Sequence, residues 1–133
     1  MTVSKPPPLR KCPTCLTPVE PMQLGYRDFR FLGDALPGKV APMDFDFVLE
    51  RNGHMLVVEL KPKGVGIGMG QTITYKTFVK MSPKNEVWLL QGEPTDDQLG
   101  YARMSTAGRW VERRSITEKE FTRMVKQWFT KAV

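Results

Sequence analysis

Histidine and cysteine are almost missing from this 133-residue chain, which has one His and two Cys. Three such side chains cannot complete a four-ligand zinc site or hold an iron–sulfur cluster. Cys12 and Cys15 form a lone C-P-T-C, half of a zinc ribbon, and His54 stands elsewhere in a predicted turn. The pair is a candidate zinc site only if another chain supplies the remaining ligands, as in a zinc-linked interaction protein. No βαβ pattern surrounds it, which argues against thiol redox chemistry. Long apolar runs are also lacking. None approaches ~18–20 residues, so no membrane-spanning helix is expected. The opening "MTVSKPPPLRKCPTC" has no apolar stretch behind its lysine and does not read as a secretory signal, so the expectation is a cytoplasmic protein. Acids are the minority charge, 14 Asp+Glu against 20 Lys+Arg, for a formal net charge of +6 at pH 7. Such an excess favours a polyanionic partner.

The remaining material divides unevenly along the chain. Pro6, Pro7, Pro8, Pro13, Pro18 and Pro21 exclude a helix or a central strand, so residues 1–21 read as an N-terminal arm. Residues 22–133 read as a single domain. Within it, "MQLGYRDFRFL" (22–32) alternates imperfectly as a strand and "GDALPGKVAP" is a turn-rich loop. Asp44–Arg51 and His54–Lys61 are strands joined by Asn52-Gly53, the strongest short hairpin signal, because a type I′ turn needs φ > 0 at both central residues. "GVGIGMG" leads into a helix running from Gly70–Gln71 to Ser82–Pro83. "EVWLLQ" (86–91) reads as a buried strand that returns parallel to an earlier one. A second hairpin turns at Ala107-Gly108. The last segment is an amphipathic helix with a Thr117/Glu120 capping box and an apolar stripe of Phe121, Met124, Val125, Trp128 and Phe129.

The two-residue turn sets the first hairpin's register. Arg51 pairs with His54, and counting outward Asp46 falls opposite Glu59 and Asp44 opposite Lys61. Alternation then sorts Phe45, Phe47, Leu49, Leu56, Val58 and Leu60 onto a core face. The other face carries the acids and Lys61. Like charges directly opposite cost up to ~1 kcal/mol, so folding alone does not ask for Asp46 against Glu59, and removing one acid is expected to raise stability slightly. Two facing carboxylates suit a hard divalent cation. A lysine two residues on can offset charge on a phosphate or orient water. Together they describe metal-assisted phosphodiester hydrolysis.

This pattern resembles the PD-(D/E)XK nuclease superfamily. "PMDFD" (42–46) matches the acid at the start of one strand and "ELK" (59–61) the signature near the end of the next. "QTITY" (71–75) is similar to the Q-x-x-x-Y motif of the RecB-like branch, and positions i and i+4 share a helix face. The likeness covers about residues 42–91. It implies an α/β (α+β) restriction-endonuclease-like core, a central mixed β-sheet flanked by helices. It also implies a Mg²⁺- or Mn²⁺-dependent deoxyribonuclease. Asp46, Glu59 and the backbone carbonyl of Leu60 would be metal ligands, with Asp44 the alternate acid. Lys61 would position the nucleophilic water, and Gln71 and Tyr75 would hold substrate or metal. The chain departs from relatives that place a helix, often with a further acid, before the first strand.

Lys63, Lys76, Lys80 and Lys84 are the expected phosphate contacts, and Arg103, Arg109, Arg113, Arg114 and Arg123 are candidates to extend that surface. Two further readings keep the fold. One is a junction-resolving enzyme for branched DNA, working as a homodimer. The other is a nucleic-acid-binding module without catalysis. The economy of one small domain suits an enzyme of a phage or mobile element.

Overall fold

A computed structural model describes residues 10–11, 18–19, 32, 35–37 and 43–133 of the chain. The chain divides into two compact units, Met1–Pro42 and Met43–Val133. In the first, β1 (Arg10–Lys11) pairs antiparallel with β2 (Pro18–Val19). Leu32 begins a turn whose carbonyl accepts from the Ala35 and Leu36 amides. Cys12, Cys15 and residues 22–31 of the expected strand lie outside the described residues.

The second unit is built on a five-stranded sheet in the order β3-β4-β5-β6-β7. The strands are β3 (Phe47–Arg51), β4 (His54–Lys61), β5 (Asn85–Gln91), β6 (Leu99–Met104) and β7 (Trp110–Ile116). Helix α1 (Met69–Met81) crosses from β4 to β5, which makes that pair parallel, while the other neighbours are antiparallel. The expected mixed sheet with flanking helices is present. The first hairpin has the register that Asn-Gly dictates, with Arg51 opposite His54 and Leu49 opposite Leu56. Asn52 and Gly53 take φ of 52° and 82°, as the type I′ turn requires.

Both faces of the sheet are covered, which a one-sided core did not anticipate. Val57 on β4 packs with Val87, Met104, Tyr75 and Val79 beneath α1. Leu56 and Val58 point the other way, to Trp88, Tyr101, Ile116 and Trp128, beneath α2 (Glu118–Lys131). Each fully buried side chain of this kind contributes roughly 1.5–3 kcal/mol. The capping box of α2 forms as expected between Thr117 and Glu120. Its C-terminal end is held by the first hairpin turn. The Asn52 amide donates to the Ala132 carbonyl at 3.0 Å, and the Arg51 guanidinium donates to the Phe129 carbonyl while lying 3.9 Å over the Phe129 ring. Phe129 thereby leaves the buried stripe and pairs with a cation at the surface.

Phe45 and Leu60 are not buried as expected, at 40% and 49% exposure. The β3–β4 ladder ends at Phe47–Val58 and the chain bends at Asp46. Phe45 is thereby carried to the α1 side, where its ring stacks 6.0 Å from Tyr75 and lies 6.0 Å from Phe78.

Candidate active site

Strand β4 is the axis of the site. It pairs antiparallel with β3 and parallel with β5, and its last residues run beyond the end of β3 toward the loop that leads into α1. Alternation along β4 sends Glu59 to the α1 side with Val57. There it is 3% exposed, the only buried charged side chain among the described residues.

Three donors surround its carboxylate. The Tyr75 hydroxyl donates to Oε1 in a short hydrogen bond. The Gln71 amide donates to Oε2 at 3.1 Å, and the Lys61 ammonium lies 3.3 Å from the same oxygen. Gln71 and Tyr75 reach it together because four residues carry them to the same helix face. Tyr75 is fully buried, and its pKa is pushed well above the ordinary phenol range. Burial is the main cause. The hydrogen bond to Glu59 and the negative charges of Glu59 and Asp46 add to it. Tyr75 is therefore a fixed proton donor and not an acid catalyst near neutral pH.

Asp46 lies one position beyond the ladder. Its Oδ2 accepts from the Leu60 amide at 2.9 Å, in place of the main-chain partner that β3 no longer supplies. The Met55 amide and the Lys61 carbonyl both bond toward the β5 edge. The amide and carbonyl of an alternate residue such as Leu60 point to the opposite edge, the one β3 has vacated. The Leu60 carbonyl thus opens on the same side as Asp46. The available donors are all oxygen: the second oxygen of Asp46, the Glu59 carboxylate and the Leu60 carbonyl. Such a set fits a hard divalent cation. Among the described residues no three His, Cys, Asp or Glu side chains gather into a group that could hold an ion alone. Asp44 is exposed in the segment before β3, and Asp46, not Asp44, engages β4.

The expected phosphate contacts do not all gather at the site. Lys63 lies in the turn directly after β4. Lys76 and Lys80 are exposed on α1, Lys80 in its last turn. Lys84 is at the far end: its carbonyl accepts from Met55, near the start of β4 and four residues before Glu59. Antiparallel packing of α1 on a parallel βαβ unit separates the two ends in this way. Arg103 is tied to Glu112 at 3.0 Å, and the Arg114 guanidinium lies 5.4 Å over the Tyr101 ring and donates to the Met124 sulfur. Neither is a free cation.

Sequence reasoning missed two supports. The Gln91 amide donates to the Val65 carbonyl, and the Gly92 amide to the Lys61 carbonyl, so β5 pins both ends of the turn after Lys61. Phe45 walls Tyr75. The signal for Gln91 is its position opposite Lys61 in the parallel register, which only the pairing reveals. Comparison with family models, curated proteins and solved structures returned no match for this chain.

Proposed function

We propose that residues 43–133 form a divalent-metal-dependent nuclease that hydrolyses DNA phosphodiester bonds. The observation that supports this reading best is the buried Glu59, held by Tyr75, Gln71 and Lys61 at the end of β4. Burying a carboxylate costs several kcal/mol, and an apolar side chain there would serve the fold as well or better. Three side chains of three types are instead committed to holding one carboxylate at the end of the strand whose Leu60 amide Asp46 engages.

Asp46, Glu59 and the Leu60 carbonyl would hold a Mg²⁺ or Mn²⁺ ion, which would supply Lewis-acid stabilisation of charge developing on the phosphate. The chain's own groups do the rest. Lys61 shares the Glu59 face, where its ammonium orients the attacking water and offsets negative charge on the phosphoryl oxygens. Gln71 and Tyr75 act through Glu59. They fix its two oxygens, as groups behind a metal ligand do. Asp46 joins the two halves of the site by its bond to the Leu60 amide.

Cleavage assays on single-stranded, duplex, flap and four-way-junction DNA test this, with Mg²⁺, Mn²⁺ or EDTA. Cutting is expected with either metal and not in EDTA, and is expected to be lost in Asp46→Ala, Glu59→Ala and Lys61→Ala. Undiminished cutting by Glu59→Ala rules the site out. Tight DNA binding without cutting under any condition selects the non-catalytic binding module instead.

A further inference from the structure

The exposed side of α1 combines lysines with large apolar side chains. From Lys61 to Lys84 the sequence has five lysines and no Asp or Glu. Met69, Ile73, Lys76 and Lys80 follow one another at spacings of four, three and four residues, which places them along one helix ridge. All four are exposed, Met69 at 81% and Ile73 at 59%, while Gln71, Tyr75 and Val79 take the side facing the sheet. The Lys76 stem lies against the β6–β7 turn, where a Cβ on Gly108 would come within 2.7 Å of its Cγ. The loop before the ridge is open as well. Gly66 and Gly68 have ordinary φ, and nothing lies within 4 Å of where their Cβ atoms would stand. The fold itself requires glycine at neither position.

We infer that this ridge binds an unpaired stretch of the nucleic-acid strand being cut, with Met69 and Ile73 against bases and Lys76 and Lys80 against phosphates. The inference rests on the nuclease reading above and names its substrate class. Intact duplex presents phosphates and sugars to such a ridge and no apolar surface to match Met69 and Ile73. Unpaired bases expose apolar faces, and Met or Ile side chains serve as wedges between base steps in other settings. The ridge stands one helix diameter, about 10 Å, from the side of α1 that holds Glu59. That is short enough for one strand to span both. A second copy of this chain is a poor occupant, because a two-fold contact over the ridge buries the lysines of both copies with no acid on the ridge to pair them.

The test compares three labelled DNAs of one sequence by fluorescence anisotropy in EDTA: single strand, full duplex, and duplex with a central unpaired bubble. The wild type is expected to bind the single strand and the bubble about ten-fold more tightly than the duplex. In Met69→Ser/Ile73→Ser the preference falls below about two-fold while duplex affinity stays the same. Both positions are exposed, so thermal melting is expected to be unchanged and reports any misfolding. Lys76→Ala/Lys80→Ala weakens all three DNAs and lowers the salt dependence. Equal affinity for bubble and duplex, with metal-dependent cutting intact, overturns the inference and leaves the nuclease reading standing. No binding and no cutting of any DNA overturns both. A monomer–dimer equilibrium broken by the serine variant, or their loss of binding to anionic phospholipid vesicles without loss of bubble preference, reassigns the ridge and overturns the inference.

Discussion

The Tyr75 hydroxyl donates to Glu59 Oε1, joining a fully buried aromatic of α1 to the only buried charge among the described residues. Raised above the ordinary phenol range, Tyr75 stays a donor throughout the working pH range. Tyr75→Phe removes only the oxygen and leaves one carboxylate oxygen buried without a partner. The expected cost is about 1–3 kcal/mol of stability, read by urea unfolding. Metal-dependent cleavage is expected to fall about 10–100-fold, as for other groups that orient a metal ligand.

Replacing Glu59 itself separates two views of the site. If Asp46 and Glu59 merely repel, Glu59→Ala stabilises the protein. The structure reverses that expectation. The Asp46 carboxylate is engaged by the Leu60 amide and Glu59 by three donors. Glu59→Ala therefore strands the Tyr75 hydroxyl and the Gln71 amide and leaves a void beside Val57. A loss of about 2–4 kcal/mol is expected in chemical denaturation. Glu59→Gln, which keeps the volume, is expected to lose less, and both variants to lose cutting. An unchanged or raised unfolding midpoint in Glu59→Ala contradicts the donor arrangement.

Asp46 has two separable duties, a charge toward a cation and an acceptor for the Leu60 amide. Asp46→Asn keeps an acceptor oxygen and loses the charge, while Asp46→Ala loses both. The expected pattern is no cleavage in either. The alanine variant loses about 1 kcal/mol of stability and the asparagine variant close to none. Equal destabilisation by the two would show that the capping bond contributes nothing.

Much of this geometry was legible in the chain, and the reason is local. Asn52-Gly53 admits one turn type, and that turn sets the β3–β4 register with no tertiary information. The spacing of Gln71 and Tyr75 places them on one helix face wherever the helix lies. What stayed hidden depends on where ladders stop and what covers them. The register extended past Phe47 puts Asp46 in the sheet, yet the chain bends there and a side chain takes over the pairing. Burial of Glu59 depends on α1 lying over it, which no pattern within β4 encodes. Phe45 alternates correctly for the core face and is still drawn to Tyr75 and Phe78 once β3 has ended. Lys84 is near Lys80 in sequence and far from Glu59 in space, because the helix between them runs back along the sheet.

Alkaline pH supplies a test of the second core. Tyr101 is buried beneath α2, edge-on to Trp88 with ring centroids 5.8 Å apart. Its phenol pKa is pushed up to about 12, mainly by burial and then by Glu112, against a smaller opposing pull from Arg103 and Arg114. The unfolded chain releases this proton near the ordinary value of 10.0, whereas the folded chain still holds it there. Between these two values the unfolded state binds fewer protons, so stability falls as pH rises. The contribution is fully present below the ordinary pKa and is lost as pH climbs through the raised one. Tyr75 is shifted in the same direction, so it adds to the same alkaline loss. Tyr101→Phe is therefore expected to lessen the fall in urea midpoint across this window without abolishing it, and to stay within about 1 kcal/mol of wild type near neutral pH. In absorbance titrations the variant is expected to lack one late phenolate transition. An identical pH slope in wild type and Tyr101→Phe would show that this phenol ionises freely in the folded protein, against its buried place between β6 and α2.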